Sequence, residues 1–182
     1  MRIIAGTHRN TRLHFPAAAT RPTSERVRES IFSIIRNIVP EARVLDLYAG
    51  TGALGLESLS RGAQSCHFVE SDKAALACLR KNIAKTTFKQ TRISDQDVSN
   101  FLARSLPPNF DLIFADPPYS YLGRSDLAQS LLEKTLPLTT GGYLLLETEA
   151  DRNPLSPPDE LKLIKKRTYG KTSIFLFEKI AE

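Results

Sequence analysis

From Arg43 onward the chain alternates short apolar runs with helix-like stretches, and this alternation limits the fold more than any other feature. Arg43–Tyr48, Ser65–Glu70, Thr91–Ser94, Phe110–Ala115 and Gly142–Glu147 read as strands. Ala53–Arg61, Lys73–Lys85, Val98–Ser105 and Ser125–Thr135 read as the helices between them. Strands separated by helices form crossover units around a parallel sheet. The end of the chain breaks the pattern. Leu161–Tyr169 and Thr172–Glu178 are joined by a Gly170-Lys171 turn with no helix between them, which predicts an antiparallel hairpin. The expected class is therefore α/β, a mostly parallel seven-stranded sheet closed by a C-terminal antiparallel hairpin.

The residues before Arg43 are different. Arg2–Ala5 and Thr11–Phe15 flank a Gly6-Thr7-His8-Arg9-Asn10 turn and predict a small hairpin. A helix is expected after Pro22-Thr23, with Thr23 as its cap. Its apolar stripe would be Val27, Ile31, Ile34, Ile35 and Ile38, with Arg26 and Glu29 opposite and Arg28 toward the edge. Pro40 should end it. Residues 1–36 hold seven arginines against Glu25 and Glu29, a balance of +5, and the whole chain also carries +5. The rest is therefore neutral in sum. Arginine matches phosphate with a rigid fork of donors, so Arg2, Arg9, Arg12, Arg21, Arg26 and Arg28 are the expected nucleic-acid contacts. A solvated helix face is the competing explanation.

At 182 residues the chain is expected to be a single domain. Residues 1–22 would be a basic extension and 23–182 the catalytic core. No window of about 18 apolar residues suggests a membrane span, and the start lacks a secretory apolar stretch. A cytoplasmic monomer is expected. Cys66 and Cys78 fit no metal or redox spacing, and His8, His14 and His67 are scattered, so no metal is expected.

Val44 to Gly55 carries the densest information. Gly50, Gly52 and Gly55 satisfy the G-x-G-x-x-G pattern, and Glu70 follows Gly50 by twenty residues, as in dinucleotide-binding enzymes. A nicotinamide or flavin oxidoreductase is one reading of this. The placing of the acids argues for another. Asp46, Glu70, Asp97 and Asp116 fall at the ends of successive strands, where ligands of such sheets bind. A pyrophosphate would meet a repulsive field there. S-adenosylmethionine, with its sulfonium and ammonium, suits that rim. Asp46 would take the methionyl ammonium, Glu70 the ribose hydroxyls, and Asp97 the adenine amino group, with the Val98 amide on a ring nitrogen. Tyr48, Ala49, Gly50, Gly52, Ser71 and Asp116 complete the expected cofactor contacts. Asp46 and Asp97 could instead be capping or turn residues, and Asp95 competes with Asp97.

Asp116-Pro117-Pro118-Tyr119 follows an apolar strand directly. Two prolines stiffen the chain and remove donors, but strand termination alone does not require the acid and the aromatic ring. An exocyclic base amine is a poor nucleophile because its lone pair is conjugated. The Asp116 carboxylate and the Pro117 carbonyl would accept its hydrogens and stabilise the charge it develops. Tyr119 would stack on the base.

The chain resembles the bacterial 16S rRNA guanine-N2 methyltransferase family of class I, Rossmann-like methyltransferases. The likeness rests on Arg2-Ile3-Ile4-Ala5-Gly6, Arg21 through Glu29, Asp46 to Gly62, Asp116-Pro117-Pro118-Tyr119 and Tyr169-Gly170 in this order. It implies methyl transfer from S-adenosylmethionine, with S-adenosylhomocysteine as product, to a guanine amine of small-subunit rRNA. The partner would be that rRNA, the small ribosomal subunit or its assembly intermediates. Family members usually carry glycine where Ala5 and Asn10 stand, so a stiffer turn is expected here. A DNA adenine-N6 methyltransferase shares the tetrapeptide and is the nearest alternative. A ribosome-assembly binder without activity is a third.

Overall fold

The computed structural model describes residues 1–16, 24–104, 109–117, 124–150 and 155–181. Among these, α1 (Glu25–Ile34) precedes β1 (Arg43–Leu47), α2 (Ala53–Ser60), β2 (Ser65–Glu70), α3 (Lys73–Thr86) and β3 (Thr91–Asp95). Then come α4 (Val98–Leu102), β4 (Phe110–Ala115), α5 (Arg124–Leu132), β5 (Leu138–Glu149), β6 (Leu161–Tyr169) and β7 (Thr172–Lys179). The strands form one sheet in the order β3-β2-β1-β4-β5-β7-β6. The five strands from β3 to β5 are parallel, and β7 runs antiparallel between β5 and β6. The α/β architecture expected from the alternation is the one observed.

Strand alternation divides the core in two. Val44, Leu112, Phe114, Leu145, Ile174 and Leu176 face one side, where Ile31 and Phe32 of α1 and Leu56 and Leu59 of α2 cover them. Leu45, Leu47, Ile113, Leu144, Leu146 and Phe177 face the other, beneath α4 and α5. Phe32, Phe68, Phe114 and Phe177 are fully buried, and each contributes about 1.5–3 kcal/mol by leaving water. Because β1 and β4 are covered on both faces, their polar side chains are confined to the strand ends. That confinement places the acids.

Several boundaries differ from the sequence reading. Ser24 caps α1, its hydroxyl accepting from the Val27 amide, while Thr23 lies outside the described residues. α1 ends at Ile34 and gives way to turns before Pro40. β5 begins four residues early, because the register shift between Phe110 and Leu112 lets Leu138 pair before Gly141 bends the strand at φ 77°. The N-terminal hairpin is reduced to one antiparallel bridge, Arg2 opposite Arg12, flanked by bonds from Ile3 N to Thr11 O and from Leu13 N to Met1 O. Asn10 sits at φ 68° in its turn. Asparagine tolerates that left-handed conformation better than most residues, so this position of the turn does not require glycine.

Candidate active site

The parallel strands end together, and their carboxyl ends carry the acids. Asp46 on β1 lies beside Phe114 of β4, and Asp116 follows Ala115 on that strand. Asp46 is 2% exposed and accepts one hydrogen bond, from Gly55 N at 2.9 Å. Burial raises its pKa to about 8; the Gly55 bond opposes the shift, and the nearby Asp116 and Glu70 charges reinforce it. No cation pairs with it among the described residues. A buried carboxylate among like charges is a place where a cationic ligand gains most.

The loop after β1 turns on three residues with positive φ: Tyr48 at 57°, Gly50 at 56° and Gly52 at 81°. A Cβ on Gly50 would point into open space, with nothing within 4 Å. Gly55 has another job. A Cβ there would meet Phe68 Cε1 at 2.3 Å and Cys66 Sγ at 2.5 Å, so this glycine lets α2 pack closely on β2. Glu70 ties the loop to the end of β2: its Oε2 accepts from Gly50 N at 2.7 Å, and its Oε1 accepts from Ser71 N and Asp72 N. Ribose hydroxyls would have to share or displace these amides.

Asp97 caps α4, accepting from Ser99 N at 2.7 Å. The capping alternative is therefore realised, and its charge also bears on Tyr48, whose hydroxyl is pushed up to about 12, mainly by burial. Asp95 is paired with Arg80 at 3.1 Å. Of the two competing acids, Asp97 is thus the one that shares its surroundings with the glycine loop. Val98 is buried in the core beside it, Ser71 is exposed, and Ala49 is buried. Pro117 is buried at the end of β4, while Pro118, Tyr119 and Arg21 lie outside the described residues.

The amino-terminal segment is fastened to the outer half of α2 and to α3. Glu57, fully buried, accepts from Ile4 N at 2.7 Å and Ala5 N at 3.0 Å, and also from Arg61 Nε at 2.7 Å. Ser60 bonds to Ala5 O, Thr7 N and His8 N, and Asn82 takes both backbone groups of His14. Arg2, Arg9, Arg12 and Arg26 are exposed. Arg28 is not: it is 1% exposed, donates to Arg2 O at 2.9 Å, and lies 4.0 Å from Glu57. Its expected role as a phosphate contact is overturned, because its helix turns it into the core with Ile31, Phe32 and Ile35. Burial lowers its pKa, and Glu57 opposes that shift.

Glu57 stands in the sequence within Leu54-Gly55-Leu56-Glu57 with no role assigned to it, although its carboxylate organises the whole segment. Its signal was only that it falls four residues before Arg61, a helical ion-pair spacing.

Among the described residues no His, Cys, Asp and Glu cluster could hold a metal, and no helix is long and apolar enough to cross a membrane.

The family model described as conserved hypothetical protein 95 matches residues 1–178. The ribosomal RNA small subunit methyltransferase D of Haemophilus influenzae is 35% identical over 182 residues, covering 98% of this chain and 93% of that protein. Its Escherichia coli namesake is 32% identical, covering 100% and 91%. The solved structure of the "Putative methyltransferase yhhF" from Escherichia coli superimposes with a TM-score of 0.88 at 30% identity, covering 100% and 99%. The chain belongs to the conserved hypothetical protein 95 family, alongside the class I methyltransferases named ribosomal RNA small subunit methyltransferase D.

Proposed function

We propose that this protein methylates the N2 amine of a guanine in 16S rRNA, using S-adenosylmethionine and direct in-line transfer. One observation carries the reading: Asp46, buried and with no cation beside it among the described residues, sits within electrostatic reach of Asp116 at the ends of adjacent strands. The names of the relatives support rRNA as substrate. Bound S-adenosylmethionine supplies an electrophilic methyl group and leaves as S-adenosylhomocysteine.

The residues present fit that group. Gly50 leaves room above the loop, Asp46 offers the ammonium a carboxyl group with no cation beside it among the described residues, and Glu70 at the end of β2 and Asp97 just after β3 are placed for ribose and adenine. Asp116 and the Pro117 carbonyl accept the hydrogens of the target amine and stabilise its positive charge as the new bond forms. Fixing the amine in line is worth up to about 7–11 kcal/mol of barrier. The target base leaves its stack to enter, at a cost of a few kcal/mol unless it already lies in a loop. We also assign Arg2, Arg9, Arg12 and Arg26 to RNA contact, without Arg28.

The test is methyl transfer from labelled donor to under-methylated small subunits, naked rRNA and duplex DNA, with mapping of the product nucleotide. Label in a guanine of small-subunit rRNA is expected. Label confined to DNA adenine would replace this reading with the adenine-N6 alternative.

A further inference from the structure

We propose that the edge hairpin of β6 and β7 is a second RNA-binding surface, on which Lys165, Arg167 and Lys171 hold phosphates of the strand whose target base enters beside Asp116. The inference rests on the function proposed above and adds the track by which the substrate reaches the site.

The first observation is charge. Leu161–Lys171 contains Lys162, Lys165, Lys166, Arg167 and Lys171 and no acid. None of the five forms an ion pair among the described residues. Residues 37–182 carry no net charge, and Glu149, opposite Thr172 on β7, is the acid that lies beside the hairpin turn.

The second is register. Ala115 lies opposite Leu146, Leu146 opposite Phe175, and Phe175 opposite Lys166. One residue further along each parallel strand are Asp116 and Arg167, at the same level of the sheet. Three strand spacings of about 4.7–4.9 Å separate them, roughly 14 Å in all. β6 runs parallel to β4, so its Gly170-Lys171 turn lies on the same rim as the acids. The positive hairpin tip and the negative pocket are neighbours.

The third is facing. Lys165 and Arg167 lie opposite Leu176 and Ile174, on the α1 side of the sheet. Their cross-strand neighbours are apolar and neutralise neither. Glu178, the acid on β7, is opposite Lys162 at the other end. The acid in the Arg167 row, Glu147, is buried. Lys166 points to the opposite face, over the Phe175 ring at 5.0 Å. Alternate residues repeat about every 6.6–6.8 Å along a strand, a separation that suits successive phosphates of an extended chain. The Tyr169 hydroxyl bonds to Ser30 on α1. Arg26, one helical turn before Ser30 and exposed, extends the same positive face.

The ligand chemistry is a polyanion with regularly spaced charges, and the adjoining pocket proposed for a nucleobase selects RNA among polyanions. Lysine on an edge strand also blocks sheet-to-sheet pairing. That role predicts aggregation on neutralisation, with no change in how RNA binding responds to salt.

The experiment compares wild type with the triple variant Lys165→Gln/Arg167→Gln/Lys171→Gln. A control, Arg104→Gln/Lys162→Gln/Lys179→Gln, removes the same charge at the other end of the strands, away from the rim and from the amino-terminal segment. The hairpin variant is expected to raise KM for under-methylated small-subunit RNA roughly tenfold or more at about 0.15 M salt. The slope of log affinity against log salt should fall by about 0.7 for each lost contact, or about two. The turnover number and the S-adenosylmethionine Kd should stay at wild-type values, showing that the fold and pocket are intact. The control should match wild type throughout. An unchanged KM and salt slope, or an equal loss in the control, overturns the proposal. So does a loss confined to assembled subunits with naked RNA unaffected, which would assign the hairpin to a ribosomal protein. If wild type methylates no rRNA, the proposed function fails instead. Anisotropy with a labelled small-subunit RNA fragment then still reads the hairpin directly, and equal binding by variant and wild type would overturn its role.

Discussion

Asp46, on β1 beside helix α2, and Glu57, on α2 itself, are buried carboxylates eleven residues apart with opposite surroundings. Glu57 receives two backbone amides from the amino-terminal segment and the Arg61 guanidinium, with Arg28 4.0 Å away. Asp46 receives one amide and faces two other acids. A buried charge whose partners all come from the chain holds the fold together. One left short of partners is costly unless a ligand completes it. Glu57 is a structural acid, and Asp46 is the acid for which we propose a cationic ligand.

The largest expected effect is at Glu57. Glu57→Gln should cost about 3–5 kcal/mol of stability, because Arg28 is left buried without its countercharge and an amide cannot accept all three donors as a carboxylate does. Denaturant unfolding measures it, and a loss below about 1 kcal/mol would dissolve the contrast. S-adenosylmethionine affinity of the folded fraction should be unchanged.

Asp116→Ala should lower turnover by about 100- to 1,000-fold, the range for removing one preorganised stabilising group, while RNA affinity is mostly kept. Undiminished methylation by this variant would remove Asp116 from the chemistry.

At Asp46 the contrast appears in pH. Its folded pKa, about 8, is far above the ordinary 3.8. The folded state therefore binds the extra proton between these values. The stability it contributes is complete below about pH 4 and is lost as pH rises through about 8. Asp46→Asn should flatten that decline in thermal melts from pH 5 to 9 and weaken S-adenosylmethionine binding. A variant that falls as steeply as wild type would assign the pH dependence elsewhere.

The smallest effect belongs to the exposed arginines. Arg9→Gln/Arg12→Gln should lower the salt slope of RNA binding by about 0.7 for each phosphate contact removed. These residues sit over the outer half of α2 and α3, and α2 alone is about 12 Å long, so turnover on saturating RNA should not change. A loss of turnover equal to that of Asp116→Ala would place them at the reacting base.

Gly50, Gly52, Gly55 and the strand-end acids were legible in the sequence because their spacing is local and periodicity puts strand ends on one rim. Arg28 was not. It falls three and four residues before Ile31 and Phe32, squarely on the buried stripe, but a charged residue there reads as an edge position until a partner is known. That partner, Glu57, is 29 residues away on another helix. The β6 cluster was visible as five cations in eleven residues, yet averaging over 146 residues erased it.

The sequence by itself determined the parallel sheet, the glycine loop, the Asp116-Pro117-Pro118-Tyr119 tetrapeptide and the family, since each rests on residue types at short, fixed separations. Only the tertiary structure decided which charges face solvent, which buried acid has no cation beside it among the described residues, and which basic strand lies level with Asp116. Burial and register depend on elements brought together from distant parts of the chain, and the energy of a charge depends on those neighbours more than on its own identity.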